Sequence, residues 1–581
     1  MPFYLQKFKF RHYFRRSGLN SRRKIREIAP DEVMIDSHNL GDFDRSQFEG
    51  RLERPISRLT LYSVGGVFLI LALIFLGKTW NLQITHGAEY QDRSERNLLR
   101  PVPIFAGRGV LTDRNGALLA WNAPVQNETS PTSTDEIVAR REYATSTGLS
   151  HVLGYVQYPS KDKNGFYYQE DFGGVAGSEK YFNDELQGVN GSRLVEVDAR
   201  GKIISENIVR PAEQGKSVAL SIDSRIQSQL YRNIKDIANR SHFEAGAGVI
   251  MDVRTGEIIA LTSYPEYSSQ VMSDRDDTAE VKRLLNDSKL PFLNRAVDGL
   301  YTPGSTVKPY VALGVLTENI IDPATVIVTT GSISIPNPYD PTRSTVFKDW
   351  RNNGSMDLRR ALAVSSDAYF YIVGGGYKDQ KGLGIAGIDK YLKLFGIGTL
   401  MPESFVQGKA GTLPTPEWKK ATFNEDWYLG NTYHSSIGQY GFQITPAQMV
   451  RAVAAIANSG TLLVPHIIKD QKPEVEKVIT EIPQKNFQIV REGMRLAITA
   501  GVSRVLEAPY VDVAAKSGTA ELGVTKEKVN SWITGFWPYN NPKYAFAITL
   551  EKGPATQNVG AAVGLRQLFD WMHMNTPEYF Q

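Results

Sequence analysis

The sequence predicts an α+β protein held to a membrane by one N-terminal helix, with a small β-rich module followed by a larger domain whose antiparallel sheet is packed by helices. Three observations carry that expectation. Leu59–Leu76 is an apolar run without a charge, the stretch from 87 to 213 is cut into short extended runs by turn signals, and residues 215–575 place strands at both ends with helical segments between. A chain of 581 residues exceeds one ordinary domain, and 41% hydrophobic against 22% charged residues is the balance of packed cores, not of disorder. There is no cysteine, which excludes disulfides, thiolate nucleophiles and cysteine-ligated metals.

Residues 1–58 read as a cytoplasmic basic tail, because Lys7, Lys9, Arg11, Arg15, Arg16, Arg22, Arg23, Lys24 and Arg26 all precede the first acidic residue, Glu27. The tail's charge suits topology or anionic lipid better than nucleic acid, so no nucleic-acid partner is expected. Residues 59–77 read as a transmembrane helix, bounded by Arg58 and Lys78. Eighteen residues at 1.5 Å each reach about 27 Å, close to the hydrocarbon thickness of a bilayer. A buried core helix is the alternative, but here apolar residues surround the axis on every side. The run begins too late for a cleavable signal peptide and no small-x-small site closes it. The chain is therefore expected to be single-pass, with Trp80 near the outer interface and everything beyond it extracytoplasmic.

From 87 to 213 the turn signals include Asp113-Arg-Asn-Gly116, followed by Ala117-Leu-Leu-Ala120, which reads as a tight hairpin. Around it stand Tyr90, Arg93–Asn97, Arg100–Ile104, Arg108-Gly109, His151–Tyr155 and Gly177–Lys180. From 215 the segment Lys216–Gln227 passes from strand to helix. Ala245–Val253 and Glu257–Thr262 flank the turn Arg254-Thr-Gly256 as a hairpin, Ser531–Trp537 and Tyr544–Leu550 read as strands, and Val559–Met574 reads as a terminal helix.

Three short motifs in this larger part supply acyl-transfer chemistry. In Ser305-Thr-Val-Lys308 the breaker pair Pro303-Gly304 precedes a helical run, so Ser305 is expected at a helix N-terminus with the Lys308 amine one turn on. A serine needs a base, and a lysine serves when burial or a neighbouring cation lowers its pKa. Pro309 costs little there, since a first helical turn lacks intrahelical partners for its N–H groups. Ser365-Ser366-Asp367 lies between two helical runs, where a hydroxyl could relay a proton or simply cap a helix. Lys516-Ser517-Gly518-Thr519 lies in a run of small residues that suits an extended strand approached closely by a peptide, with a cation and hydroxyls for a carboxylate. Ser-x-x-Lys alone is a common solvated helix start; the three motifs in this order are not.

Together they resemble the transpeptidase domain of the penicillin-binding proteins. Flanking words agree: Leu293-Asn-Arg-Ala296, Tyr301-Thr-Pro-Gly304, Phe347-Lys-Asp-Trp350, Ser436-Ile-Gly-Gln439 and Thr445-Pro446. The ordered turn words between 87 and 213 resemble the pedestal, or dimerisation-type, domain of class B members, and the aspartate at Asp367 together with Arg93–Asn122 resembles the elongation type, the penicillin-binding protein 2 family. The septal type is the nearest rival; a β-lactam sensor or β-lactamase, and a non-catalytic scaffold, are others. The resemblance implies a serine β-lactamase-like fold for 215–575 and a D,D-transpeptidase that cross-links peptidoglycan stem peptides and binds β-lactams. It implies Ser305 as nucleophile, Lys308 as base, Ser365 and Asp367 as further catalytic groups, and Lys516, Ser517, Gly518 and Thr519 as substrate-binding. No metal or organic cofactor is implied, and a SEDS-family glycan polymerase with other elongation-complex membrane proteins is the implied partner set. Two departures stand out. The polar segment Ala123–Thr134 is short where relatives carry a head subdomain, and Ser268-Ser-Gln270 replaces an expected Asp-x-Asn. A carboxylate at Asp367 would also favour a charged Lys308 and oppose its action as a base.

Overall fold

A computed structural model describes residues 57–91, 99–123, 139–163, 167–197, 203–337 and 340–581. The basic tail, Arg93–Asn97 and residues 124–134 of the shortened-head segment lie outside the described residues. The chain divides into two units, residues 1–94 and 95–581.

In the first unit, Arg58–Trp80 is α-helical and continues as one π-helical turn, Asn81–Thr85. Ser57 caps it, its Oγ accepting from Thr60 N–H at 3.0 Å. An 18-residue window within these 28 residues has mean hydropathy 2.4 and none of the helix is buried, so it presents an apolar surface all round. That is the character of a membrane span, and its length of about 42 Å is sufficient.

In the second unit, four small sheets among the described residues precede the large domain, and two of them position the rest. Leu99–Ile104, Gly191–Val197 and Ile203–Arg210 make an antiparallel three-stranded sheet. Leu111–Thr112 and Leu118–Ala123 form the expected hairpin, with Asp113 Oδ1 accepting from the N–H groups of Asn115 and Ala117 at 2.8 Å and Gly116 in the left-handed region. Arg140–Tyr143 extends this sheet on one side, and Val218–Ala219 pairs parallel with Leu111–Thr112 on the other, so the chain leaves it only after Ala219. The words around Arg108 and Glu179 prove to be halves of one buried ionic cluster. Glu179 accepts from Arg108 Nε at 2.5 Å and from Arg141 Nε at 2.8 Å, with all three side chains almost wholly buried. Removing one member would leave buried charge without its counterion.

The larger domain is built on a five-stranded antiparallel sheet in the order Ile258–Tyr264, Ala245–Asp252, Tyr544–Pro554, Lys528–Trp537, Ala514–Leu522. Sequence-terminal strands thus meet at its centre. Helix Ser224–Arg240 turns Ile226, Leu230, Ile234 and Ile237 onto a core shared with Leu565, Leu568 and Phe569 of the terminal helix Ala561–Asn575. A second core gathers helices Lys308–Thr317 and Pro446–Ala457. The Asp113 hairpin is seated on the start of helix Ser224–Arg240: Ser224 Oγ donates to Asp113 Oδ2 at 2.7 Å, and Asn115 Nδ2 donates to Asp223 Oδ2 at 3.0 Å. The departure at Ser268-Ser-Gln270 joins the two parts as well. Ser268 caps helix Ser269–Asp274, and Gln270 binds the backbone of Tyr143 and Arg141.

Candidate active site

Ser305 does not begin an α-helix; it sits in a 3₁₀ turn, Gly304–Val307, that feeds helix Lys308–Thr317. The cause is Pro309. An α-helical bond to the Ser305 carbonyl would come from residue 309, which has no N–H, and the Lys308 N–H supplies an i+3 bond instead. Every residue from Tyr301 to Tyr310 is buried except Ser305, which is half-buried. Among the described residues its hydroxyl makes no hydrogen bond. The turn is held from three sides: Trp532 Nε1 donates to Thr302 O at 3.0 Å, Tyr301 bridges Ile444, and Gly304 N–H donates to Gly438 O at 3.0 Å. Gly304 has φ +56°, and a Cβ there would also stand 2.9 Å from Thr519 O.

The second motif is a break between two helices. Asp357 caps Leu358–Val364, Ser365 ends that helix at φ +57°, and Ser366 caps Asp367–Gly375, its Oγ accepting from Tyr369 N–H at 3.2 Å. The kink aims the Ser365 hydroxyl and the Asp367 carboxylate at the Lys308 amine. Lys308 Nζ donates to Asp367 Oδ1 at 2.6 Å and Ser365 O at 2.9 Å, and lies 3.3 Å from Ser365 Oγ.

The third motif occupies the edge strand Ala514–Leu522. Gly518 is required here by the protein itself, since a Cβ would stand 2.6 Å from Pro303 O and 2.8 Å from Thr306 Cγ2. The face of the strand at Gly518 therefore packs on the nucleophile turn, and Thr519 O lies beside Gly304. Lys516 is fully buried, and its amine lies 2.8 Å from both Ser365 Oγ and Ser517 O. Ser517 is half-buried and Thr519 exposed. Burial, and then the Lys308 ammonium, hold the Lys516 amine well below the ordinary lysine range, with Asp367 pulling the other way. The structure thus brings all eight expected residues to one place, with the Ser365 hydroxyl between two buried amines.

A profile of the penicillin-binding protein transpeptidase domain matches residues 246–568, more than half of the chain, and one of the penicillin-binding protein dimerisation domain matches residues 134–220. The chain belongs to the penicillin-binding protein transpeptidase family. Among relatives in that family is the peptidoglycan D,D-transpeptidase MrdA of Haemophilus influenzae, 28% identical over 90% of this chain and 92% of its own length. A structure described as a peptidoglycan synthase complex that coordinates polymerization and crosslinking superposes with TM-score 0.68 at 28% identity, covering 87% of this chain and 97% of that one. The Helicobacter pylori PBP2 complex with MreC superposes at 0.66 and 26% identity, covering 83% and 99%.

Two residues of this penicillin-binding site are not conspicuous in the sequence. Asp349, within the word Phe347–Trp350, bonds across the Ser365–Asp367 break. His434, on helix Leu429–Ser436, meets Phe347 at a tilt with ring centroids 5.4 Å apart. Burial and the Lys526 ammonium hold it below the usual imidazole range, against the pull of Asp367 and Glu521. Its signal was a lone histidine on a helix, which by itself points nowhere. Among the described residues no group of three or more His, Asp or Glu side chains is gathered as a metal site.

Proposed function

We propose that this chain is an elongation-type peptidoglycan D,D-transpeptidase that joins stem peptides through an acyl-enzyme on Ser305 and is inhibited by β-lactams. The observation that carries the reading is the convergence of two buried amines on the Ser365 hydroxyl, behind one accessible serine. Ser305 Oγ bonds to the carbonyl of the penultimate D-alanine, and the bond to the terminal D-alanine nitrogen breaks. Lys308 receives the Ser305 proton. Its amine faces three acceptor atoms, which matches the donor capacity of an ammonium, so it first passes one proton through Ser365 Oγ to Lys516. Ser365 gives its proton to the departing amine and takes one from the Lys308 ammonium in its place. A second stem-peptide amine then attacks the ester, its nitrogen loses a proton to Lys308, and the bond to Ser305 Oγ breaks as Lys308 passes that proton to the serine.

The N–H groups of Ser305 and Thr519 hold the oxyanion, in keeping with the close approach of Gly304 to the backbone at Thr519. Ser517 and Thr519 bind the terminal carboxylate, with Gly518 allowing the approach; Lys516, being fully buried, contributes charge rather than direct contact. The domain limits proposed for this role are 87–213 for the pedestal and 215–575 for catalysis, with Val218–Ala219 of the latter pairing back into the pedestal sheet. A SEDS-family glycan polymerase and an MreC-like protein are the proposed partners, in keeping with a neighbour described as a peptidoglycan synthase complex that couples polymerization to crosslinking and another described as PBP2 with MreC. The basic tail favours a cytoplasmic N-terminus and a catalytic domain outside the membrane.

Labelling the full chain with a fluorescent penicillin, followed by mass mapping, tests this. A persistent adduct on the peptide containing Ser305 is expected, and Ser305→Ala should abolish it without lowering the thermal midpoint. No adduct on the wild-type chain would reject the enzyme reading, rapid turnover would favour a β-lactamase, and labelling of Ser305→Ala would assign the wrong nucleophile.

A further inference from the structure

The Ser365–Asp367 break carries the two groups on which the lysines converge, yet its backbone is one that its own residues disfavour. Ser365 is not glycine and sits at φ +57°. The group that spans this break comes from elsewhere in the chain. Asp349 follows strand Asp340–Lys348 and meets the break with both oxygens: Oδ2 accepts from Ser366 Oγ at 2.6 Å and from Ala368 N–H at 3.3 Å, and Oδ1 accepts from Asp367 N–H at 3.0 Å. Those N–H groups belong to the first turn of helix Asp367–Gly375, where no intrahelical acceptor exists and a negative charge is favoured.

Asp349 is itself fixed. It accepts from Trp350 N–H at 2.8 Å and from Asn353 Nδ2 at 3.3 Å, while its own N–H donates to Gly331 O at 2.9 Å. Beside it, Trp350 Nε1 donates to Val364 O at 3.2 Å, one residue before Ser365. The segment therefore grips the break on both sides. A carboxylate that only capped a helix would need neither the Ser366 hydroxyl nor the Trp350 contact. Here the same few atoms fix where Ser365 Oγ stands between Lys308 and Lys516, and where the Asp367 carboxylate meets Lys308.

We propose that Asp349 is a positioning residue for acyl transfer, holding the Ser365–Asp367 break in register with the two lysines without touching substrate. The inference rests on the acyl-enzyme reading above. Asp349→Asn preserves shape but replaces one acceptor oxygen with a donor, which opposes either Ser366 Oγ and Ala368 N–H or Asp367 N–H. In the full chain the second-order rate of acylation by fluorescent penicillin should fall about ten- to one-hundred-fold, the loss expected for bonds to a charged acceptor. A residue acting only through stability would lower the thermal midpoint and leave that rate unchanged in the folded fraction. Because Asp349 acts through the break, its effect should shrink in an Asp367→Asn background, whereas independent effects would multiply. Should Asp349→Asn fail to fold, Ser366→Ala removes one of the three bonds and should slow acylation in the same direction by a smaller factor. No labelling of the wild-type chain would overturn the acyl-enzyme reading and this inference with it. Wild-type labelling with an unchanged rate in Asp349→Asn, or in Ser366→Ala where Asp349→Asn does not fold, would overturn this inference alone. So would losses that multiply in full in the double variant.

Discussion

Lys516 differs from a strand-end surface lysine in one respect that decides its chemistry: it is fully buried, and its amine is shared between Ser365 Oγ and Ser517 O. Burial and the Lys308 charge disfavour its ammonium, and Asp367 favours it. If neutral Lys516 accepts the relayed proton, acylation must quicken as pH rises through the titration of Lys516, somewhere below the ordinary lysine range. Asp367→Asn removes the group that pulls this titration upward, so the rising limb should move to lower pH. Acylation rates measured from about pH 5 to about pH 9 would show it. A limb that stays in place or moves to higher pH would remove Lys516 from the proton path. The motif residues were legible in the sequence because each short word holds its own chemistry, as Ser305 and Lys308 do. Asp349 was not, because its acceptors' partners lie some 17 positions further on and only folding brings them back. The burial of Lys516 was likewise invisible, since it depends on the sheet above the Ser365 break.

At the scale of elements, the strands flanking 254–256, the C-terminal strand pair and the terminal helix could be read from alternation and turn chemistry, and the Asp113 hairpin from Asp-x-Asn-Gly. The parallel pairing of Val218–Ala219 with Leu111–Thr112 could not, since two residues carry no period and their partners are about a hundred positions away. The 3₁₀ turn at Ser305 did have a signal: Pro309 withholds the N–H that an α-helix would use. Between the elements, His151 marks the seam of the second unit. Its Nε2 pairs with Pro291 O at 3.0 Å, its ring meets Tyr267 edge-on at 5.3 Å, and burial pushes the imidazole down to about 4. Between about pH 6.5 and about pH 4 the unfolded chain binds a proton there that the folded chain does not, so stability falls as pH drops through that window. At about pH 5 the penalty is about 2 kcal/mol. His151→Gln keeps a donor for Pro291 O and removes the titration. Between about pH 7 and about pH 5 the thermal midpoint of the wild type should therefore drop by more than that of the variant. Equal drops would mean that His151 does not carry this pH dependence.

At the scale of the whole molecule, the question is which side of the membrane holds the Ser305 site. The helix Arg58–Trp80 exposes apolar side chains all round, and nine cationic residues precede the first acid on its N-terminal side. In the proposed topology, positive charge retained in the cytoplasm holds the N-terminus there and sends the opposite end outward, as a stem-peptide substrate requires. The absence of cysteine makes this directly measurable, because any thiol introduced is the chain's only one. Val524 is fully exposed on the hairpin beyond the edge strand, and Ser17 lies within the basic tail. In intact spheroplasts a membrane-impermeant maleimide should label Val524→Cys and spare Ser17→Cys, and lysis should make both reactive. Fluorescent-penicillin labelling of each variant checks that the site still forms. Labelling of Ser17→Cys before lysis, with Val524→Cys protected, would invert the chain and place the site on the side without peptidoglycan, so the transpeptidase reading would fail with the topology.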